Sequence, residues 1–382
     1  LGRKITTRKF RDCGAWYHIV CVYDSDNVTA DDRMMIYVNG VRETAFDTDT
    51  DPTSGAVSFN ASGNTCSIGV HNTSSNYMNS DVSHMQFVDG AALAPTAFGS
   101  VDATSGIWKI KTTCYATPGN NGFCMKFEDR TNLDLDSSSN AHTFTTTGTL
   151  TATYDNPSNN FPTGNPLYKP IGGAFSNGNN TNVGAGNWFT MASTMGVNAG
   201  KWYAEFKPST GSVAMVGVCG DYRINEQAAA DAGFGSNTGN PSIGFFYGGQ
   251  VYVNTSGPGS AFSGTYTTGD IISLALDMDN RNVYVAKDGE WATGSGAWGS
   301  TTFDAAVGAQ TLDVGNYASA DNWLMGCGGN STTLQANWGN GYFGTTAVSS
   351  TNADGAGIGS FEFPVPTGFY ALCTKNIKAY GG

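Results

Sequence analysis

Charged side chains are scarce in this sequence: they make up 13% of its 382 residues, about half the share of an average soluble domain. Acidic residues outnumber basic ones, and the formal net charge is −12. Because a protein that binds nucleic acid has to neutralise phosphates with Lys and Arg, we expect no nucleic-acid partner. The polar surface must consist largely of Ser, Thr, Asn and Gly, which suits contacts with sugars or flat protein surfaces.

Long hydrophobic runs are also absent, and the first residues do not resemble a signal peptide. No apolar run approaches the roughly 18 residues that a membrane-spanning helix needs, so we expect no membrane insertion. The first ten residues, LGRKITTRKF, are polar and strand-like, and they include neither an initiating Met nor the apolar core of a signal peptide. We therefore expect that the chain is a fragment or a processed product.

The eight cysteines form no CxxC pair, which excludes a zinc site with the usual ligand spacing. Cys21 lies in the apolar run IVCVY and, like several others, is expected to be a small buried hydrophobic residue. Cys114 and Cys124 flank a turn-rich segment and could form a disulfide across a hairpin. Free core thiols are the favoured alternative for that pair.

The groups that most hydrolases use are not recognisable either. The sequence has six glutamates and four histidines, and no Ser or Cys lies in a GxSxG context. His18 alternates with apolar neighbours in WYHIV, which is typical of a structural residue in a sheet. We predict that the protein is not an enzyme and assign no catalytic residue. An extracellular polysaccharide-degrading enzyme is the less favoured alternative.

Glycine and aromatic residues are abundant instead. The 51 glycines and the 12% share of aromatics are typical of short strands joined by tight turns. Apolar runs recur along the chain, as in WYHIVCVY at 16–23 and MMIYVNGVRET at 34–44. In the second run, Asn39-Gly40 predicts a type I′ hairpin.

These patterns predict an all-β fold with two β-sandwich domains, at residues 1–130 and 187–382. Pro, Asn and Ser dominate the stretch between them, and four prolines fall between residues 157 and 170. We therefore predict a semi-rigid connector with short strands at residues 131–186.

Two loops are rich in the carboxylate oxygens that Ca²⁺ prefers, although neither has the spacing of an EF-hand. Calcium is the one cofactor that we consider, with solvated turn aspartates as the alternative. The candidate ligands are Asp24, Asp26 and Asp31 in the first loop, and Asp47, Asp49 and Asp51 in the second.

Aromatic residues in turns are the candidates for ligand binding, because an exposed ring can stack on a sugar while neighbouring amides and carboxylates bind its hydroxyls. Most aromatic residues of a sandwich belong to its core, and Trp16, Trp202 and Trp338 are expected to do so. The candidate binding residues are Asp221, Tyr222, Arg223, Tyr247, Trp291, Trp298 and Trp323.

The first half of the chain resembles known families. The runs WYHIVCVYD, DRMMIYVNGVRET, CSIGV and SDVSHMQFVDGAAL resemble laminin-G-like, concanavalin-A-like jelly rolls. A closer resemblance, over most of residues 5–170, is to structural proteins of marine bacteriophages. Their Asp-Gly-x-x-Leu-x-Pro-x-x-Phe-Gly segment is matched by Asp89, Gly90, Leu93, Pro95, Phe98 and Gly99. Several strands normally precede WYHIV in a laminin-G-like domain, so we expect an N-terminally truncated sandwich or one that a partner chain completes.

The second half resembles the SPRY family over roughly residues 187–373. The matching segments are GKWYAEFKP at 200–208, VGVCGD at 216–221, GDIISLALDMDNRNVYVAKDGEWA at 269–292, and LQANWGNGYF followed by PTGFYAL within 334–372. The resemblance implies a binding module whose ligands contact loops at one end, and it implies a structural role for Glu205.

Together, the two resemblances predict a virion surface protein of a bacteriophage, such as a tail fibre, appendage or capsid fibre. We expect attachment to a host surface glycan or protein, contacts with other virion proteins, and a homo-oligomer, with a trimer favoured. A purely architectural virion protein is the alternative.

Overall fold

The computed structural model describes residues 2–55, 67–71, 75–78, 80–148, 150–167, 173–184, 186, 188–211, 213–221, 241–253, 260–262, 264–308, 310–312 and 322–381. These residues form strands, turns and one short α-helix, which confirms the predicted all-β class. Among them, no helix has the length and apolar character that crossing a membrane requires. The chain divides into two compact units, Leu1–Ala152 and Thr153–Gly382.

The first unit consists of short strands and two 3₁₀ turns, Ala30–Asp32 and Pro95–Ala97. Its strands are β1 (Arg3–Thr6), β2 (Ile19–Tyr23), β3 (Met34–Val38), β4 (Val41–Arg42), β5 (Phe46–Thr50), β6 (Val70–His71), β7 (Ser75–Tyr77), β8 (Met85–Phe87), β9 (Gly99–Val101), β10 (Trp108–Ile110) and β11 (Phe123–Met125). They form the antiparallel sheets β1–β5, β2–β3–β4, β6–β7, β8–β11 and β9–β10.

The hairpin between β3 and β4 has the predicted turn. Asn39 and Gly40 have φ angles of 48° and 80°, as a type I′ turn requires. The Asn39 side chain also accepts a hydrogen bond from the backbone N–H of His18 at 2.9 Å. The Trp108 ring packs so closely on Gly40 that a Cβ there would lie 2.3 Å from it, so both the turn and this contact require glycine.

Strand β2 alternates strictly, with Val20 and Val22 buried and Ile19, Cys21 and Tyr23 exposed. The expectation that Cys21 is buried was therefore wrong, because the period of two places it on the outward face. Cys219, Cys327 and Cys373 are buried thiols, as expected of cysteines in a core.

A disulfide joins Cys114 to Cys124, which corrects the preference for free thiols at this pair. Cys124 lies in β11, and the intervening turn brings Cys114 back alongside it. A unit with such small sheets has limited core to hold it together, so a covalent link contributes proportionately more to its stability.

The second unit contains two larger sheets and the helix α1 (Thr374–Tyr380). Its strands are β12 (Gly173–Ser176), β13 (Thr181–Gly184), β14 (Trp188–Ala192), β15 (Lys201–Thr210), β16 (Ala214–Gly220), β17 (Ser242–Phe246), β18 (Gln250–Val253), β19 (Ser260–Ala261), β20 (Ile272–Asp277), β21 (Asn282–Lys287), β22 (Glu290–Ala292), β23 (Trp298–Ser300), β24 (Gln310–Thr311), β25 (Trp323–Asn330), β26 (Thr333–Asn337), β27 (Tyr342–Phe343), β28 (Thr346–Ala347) and β29 (Tyr370–Ala371).

The two large sheets form a sandwich. One has the order β12-β13-β26-β15-β20-β21-β22-β23, with β24 beside β21 and β29 beside β15, and the other has the order β14-β25-β16-β17-β18-β19. Trp202, Ala204 and Phe206 of β15 and Val216 and Val218 of β16 belong to one buried cluster between the sheets. The second predicted sandwich is therefore present, with its core between the two sheets.

The predicted connector is divided between the two units. Residues 153–184 belong to the second unit, where β13 pairs with β26 at the edge of the larger sheet. Asn177, Gly178 and Asn179 all have positive φ angles of 53° to 64° and form the turn between β12 and β13. Asn and Gly tolerate this conformation, so the last residues of the predicted connector form a tight hairpin.

Candidate functional site

Three of the predicted calcium ligands come together in the first unit, around a lysine. Carboxylate oxygens of Asp31, Asp49 and Asp51 lie within 4.8 Å of one another. Lys4 is the cross-strand partner of Asp49 in the β1–β5 pair. Its ammonium lies 2.9 Å from Asp31, 2.5 Å from Asp49 and 3.1 Å from Asp51. The centre that a metal ion would occupy is therefore filled by the Lys4 Nζ.

A second cation compensates the charge of this cluster. Arg42 contacts Asp31 at 3.0 Å and Asp32 at 2.6 Å. Burial alone would lower the pKa of Lys4, but hydrogen bonds to the three carboxylates outweigh that effect and raise it. The hydrogen bond from Lys4 in turn lowers the pKa of Asp31. Each member therefore stabilises the charged form of its partner.

The other three calcium candidates lie apart from this cluster. Asp24 accepts a hydrogen bond from the Asn27 amide at 3.2 Å, and Asp47 forms an ion pair with Lys9 at 3.3 Å. Asp26 lies between Asp24 and Asn27 in the same turn. Among the described residues, only the Asp31, Asp49 and Asp51 group has metal-binding spacing. Of the predicted calcium ligands, only Asp31, Asp49 and Asp51 lie close enough to share an ion, and the Lys4 ammonium already lies between them.

The aromatic candidates of the second unit differ in burial. Trp323, at the start of β25, is 1% exposed and belongs to the inter-sheet core. Trp291 is 8% exposed and packs edge-to-face on Phe303, with ring centroids 4.9 Å apart. Neither ring offers an open face for stacking. Asp221 accepts a hydrogen bond from the Asn322 amide at 2.9 Å, while Tyr222 and Arg223 lie outside the described residues.

Tyr247 and Trp298 are partly exposed, and a hydrogen bond joins each of them to residues 264–266. The Tyr247 carbonyl accepts a hydrogen bond from the backbone N–H of Tyr266 at 3.0 Å. The Trp298 indole N–H donates to the carbonyl of Thr265 at 2.8 Å. Phe262 packs edge-to-face on the Trp298 ring at 5.5 Å. We call this part of the second unit the aromatic edge: Tyr247, Phe262, residues 264–266 and Trp298.

A polar depression of about 140 Å³ lies beside the aromatic edge. Its lining consists of Phe262, Thr293, Gly294, Ser295, Gly296, Gly308 and Gln310. None of these side chains is charged, and the hydroxyls, the amide and the glycine backbone can all form hydrogen bonds. The turn between Trp291 and Trp298 was predicted from the sequence, but Gln310 was not. Gln310 lies on β24, which is distant in sequence and reaches the depression only through its pairing with β21.

Glu205 on β15 is a buried carboxylate whose pKa is strongly raised. All four of its hydrogen bonds join it to other parts of the fold. Oε1 accepts hydrogen bonds from the Tyr203 hydroxyl at 3.0 Å and the Phe363 N–H at 2.9 Å. Oε2 accepts from the Asn337 amide at 3.1 Å and the Glu362 N–H at 2.9 Å. Burial raises the pKa of Glu205 to about 7, against these four bonds, which lower it. Glu205 thereby fastens the C-terminal segment to the outer face of the sheet.

A second cavity, of about 40 Å³, lies next to this network and is lined by residues including Tyr203, Ser273 and Trp291. A water molecule needs roughly 10–15 Å³ of such volume, so the cavity can hold a few waters but no sugar or peptide.

Comparison with known proteins gives structural neighbours only. No protein-family model matches the sequence, and no curated protein does. The crystal structure of the SPRY domain of human HERC1 is similar over 43% of this chain and 91% of that domain, with 18% identity and a TM-score of 0.31. A second human SPRY domain is similar over 41% of this chain and 90% of its own length, with 14% identity and a TM-score of 0.30.

Proposed function

We propose that this chain is a binding protein that attaches a particle to a surface through the aromatic edge of its second unit. The observation that carries the proposal is the pairing of partly exposed Tyr247 and Trp298 with an uncharged polar depression beside them. Aromatic rings pack on apolar faces of a ligand, while amides and hydroxyls bind its polar groups. A rigid sandwich core beneath the edge keeps these groups in fixed positions, which reduces the entropic cost of binding.

The particle we propose is a bacteriophage virion, and the surface is that of its host. The support is the resemblance of residues 5–170 to marine bacteriophage structural proteins, together with a polar surface that has few charged side chains and suits glycans and flat protein contacts. Partners would be other virion proteins and a host surface glycan or protein.

A shallow site of this kind binds weakly as a single copy. We propose a homo-oligomer, with a trimer favoured, so that several identical edges engage one surface at once. Linked sites raise the overall affinity by about 10² to 10⁴ without any new contact, and closed symmetry presents the same face of every subunit.

The test compares binding with turnover on the same cells. Fluorescently labelled full-length chain is incubated with a panel of intact marine bacteria and with their isolated envelope polysaccharide. We expect saturable binding to at least one strain and no release of new reducing ends or unsaturated sugars. Polysaccharide cleavage would instead favour the enzymatic alternative, and an absence of binding to every strain would refute attachment.

An architectural role in the virion is the second candidate, and one observation favours it. On the β2–β3–β4 sheet, Ile19 is 51% exposed and Val41 is 65% exposed, and Cys21 lies on the same face as Ile19. Exposed apolar residues grouped on one sheet face are typical of surfaces that pack on another protein. A reconstruction of the particle that showed both units enclosed by other virion proteins would select this role over attachment.

A further inference from the structure

We propose that the polar depression formed by residues 293–296, Gly308 and Gln310 binds a single neutral pyranose ring of a glycan. This inference rests on the proposed attachment function and specifies its ligand and location. The depression is open to solvent and its volume is about 140 Å³, roughly tenfold more than one water needs. It can thus receive one sugar ring rather than an extended chain.

The polar groups around the depression suit vicinal hydroxyls. The Gln310 amide supplies both a donor and an acceptor, and among the described residues no side chain or backbone group is hydrogen-bonded to it. Thr293 Oγ1 lies 3.1 Å from both Ser295 Oγ and the Ala297 carbonyl. These bonds hold the two hydroxyls in place, and the Thr293 oxygen keeps acceptor capacity toward a ligand.

The lining selects for a neutral ligand. Since none of the lining residues carries a charge, a uronic or sialic acid carboxylate would lose water without gaining a cationic partner, which is unfavourable. Phe262 also belongs to the lining but is only 4% exposed, so a ligand in the depression would contact mainly polar groups.

Two glycines of the lining pack too closely on their neighbours to be replaced by a residue with a side chain. A Cβ at Gly296 would lie 2.9 Å from the Phe262 ring, and a Cβ at Gly308 would lie 2.3 Å from the Ala292 carbonyl oxygen. Both residues also have φ angles above 70°, so substitutions there would strain the backbone. Gly294 is different: a Cβ would meet only Val307, at 3.4 Å. A side chain at position 294 can therefore fill the depression at little cost to folding.

The experiment uses saturation-transfer difference NMR on the full-length chain with methyl glycosides of glucose, galactose, mannose and N-acetylglucosamine, and with methyl glucuronide as the charged probe. The variants are Gly294→Val and Gln310→Ala, with Gly299→Ala as the control. Gly299 lies on the neighbouring β23, outside the depression, and a Cβ there would approach only the Thr293 methyl group, at 4.0 Å, without displacing it. Thermal melting verifies that each variant folds. If Gly294→Val does not fold, Gly294→Ala takes its place.

We expect at least one neutral glycoside to bind wild type and Gly299→Ala equally. Gln310→Ala should weaken that binding about tenfold, as loss of a hydrogen-bonding partner does, and Gly294→Val should abolish it. Glucuronide should bind more weakly than the neutral glycosides. Failure of every neutral glycoside to bind, equal binding by Gly294→Val, or preference for glucuronide would each overturn the inference. Cell attachment by wild type that persists in such a case would show that attachment uses another surface.

Discussion

At the scale of single residues, His18 and Trp108 form a contact that depends on protonation. The Trp108 indole N–H donates to Nδ1 of His18 at 2.8 Å, and this nitrogen can accept only when the ring is neutral. Burial lowers the pKa of His18 below its usual 6.5. The folded first unit thus favours the neutral ring, and the unfolded chain binds a proton more readily.

This linkage predicts the effect of pH on the first unit. The stabilisation from neutral His18 is fully present above pH 6.5 and declines as the pH falls below that value toward the lowered pKa of the folded state. Thermal melts between pH 8 and pH 5 should show the decline. In His18→Gln the amide can accept the indole N–H at every pH, so the decline should be smaller, whereas exposed His142→Gln should leave it unchanged. An equal decline in His18→Gln would contradict the assignment.

The pH dependence that we expect from Glu205 in the second unit is opposite to that from His18. Its pKa is raised from 4.5 to about 7, so its contribution to stability is largest below pH 4.5 and is lost as the pH rises through 7. The transitions of the two units therefore have to be followed separately, with probes placed in each.

Replacing Glu205 by alanine tests directly whether its side chain stabilises the second unit. In Glu205→Ala the backbone N–H groups of Glu362 and Phe363 and the Asn337 amide lose their shared acceptor in a buried place. We expect the second unit to lose about 3–5 kcal/mol of unfolding free energy. Chemical denaturation measures this loss, with exposed Glu290→Ala as the matched control. Equal midpoints for the two variants would show that Glu205 does not fasten the C-terminal segment.

At the scale of elements, the Cys114–Cys124 bond closes a short loop in the first unit. Since the two cysteines are 10 residues apart, the loop-entropy model assigns the bond about 3 kcal/mol of stability. The double variant Cys114→Ser/Cys124→Ser should lower the unfolding free energy of the first unit by roughly that amount, and Cys21→Ser should have little effect. Peptide mapping without reduction provides a direct check, because separate Cys114 and Cys124 peptides would contradict the pairing.

The β1–β5 pair leads to a prediction about calcium. Because its register places the Lys4 ammonium among three carboxylates, a Ca²⁺ ion would have to displace a bound cation. We expect the melting temperature of the first unit to be the same in calcium and in EDTA. Lys4→Met should lower the unfolding free energy of the unit by about 1 kcal/mol, a modest value because the carboxylates are exposed to solvent. The loss should be larger than that caused by Lys9→Met, since Lys9 is itself exposed. A clear rise in melting temperature with calcium in the wild type would contradict this.

Some elements could be predicted from local sequence and others could not. The Asn39-Gly40 hairpin follows from two residues that tolerate positive φ, whereas the Cys114–Cys124 pairing depends on how a longer turn folds back. Trp291 and Trp298 flank the same turn, but a register shift separates the Trp291–Ser300 pair from the Ala292–Trp298 pair. Simple alternation therefore could not predict that Trp291 is buried while Trp298 is partly exposed. Gln310 was missed because only sheet pairing brings it to the depression.

At the scale of the whole molecule, the two units have different characters. The second is a sandwich with a large continuous core between its sheets, as the SPRY-like motifs predicted. The first has small sheets, a disulfide and single exposed apolar side chains such as Ile19 and Val41. We infer a division of labour in which the second unit binds the host surface and the first contacts neighbouring virion proteins. Repetition of the binding unit in an oligomer would convert weak single contacts into firm attachment.

The most direct test of attachment is the binding of full-length chain to intact bacterial cells, compared between Trp298→Ala and Tyr77→Ala. Tyr77 is an exposed aromatic residue of the first unit, so it controls for nonspecific loss of a ring. We predict that Trp298→Ala lowers cell binding at least about tenfold, as removal of a central aromatic contact does, and that Tyr77→Ala binds like the wild type. Equal binding by Trp298→Ala and wild type would contradict it.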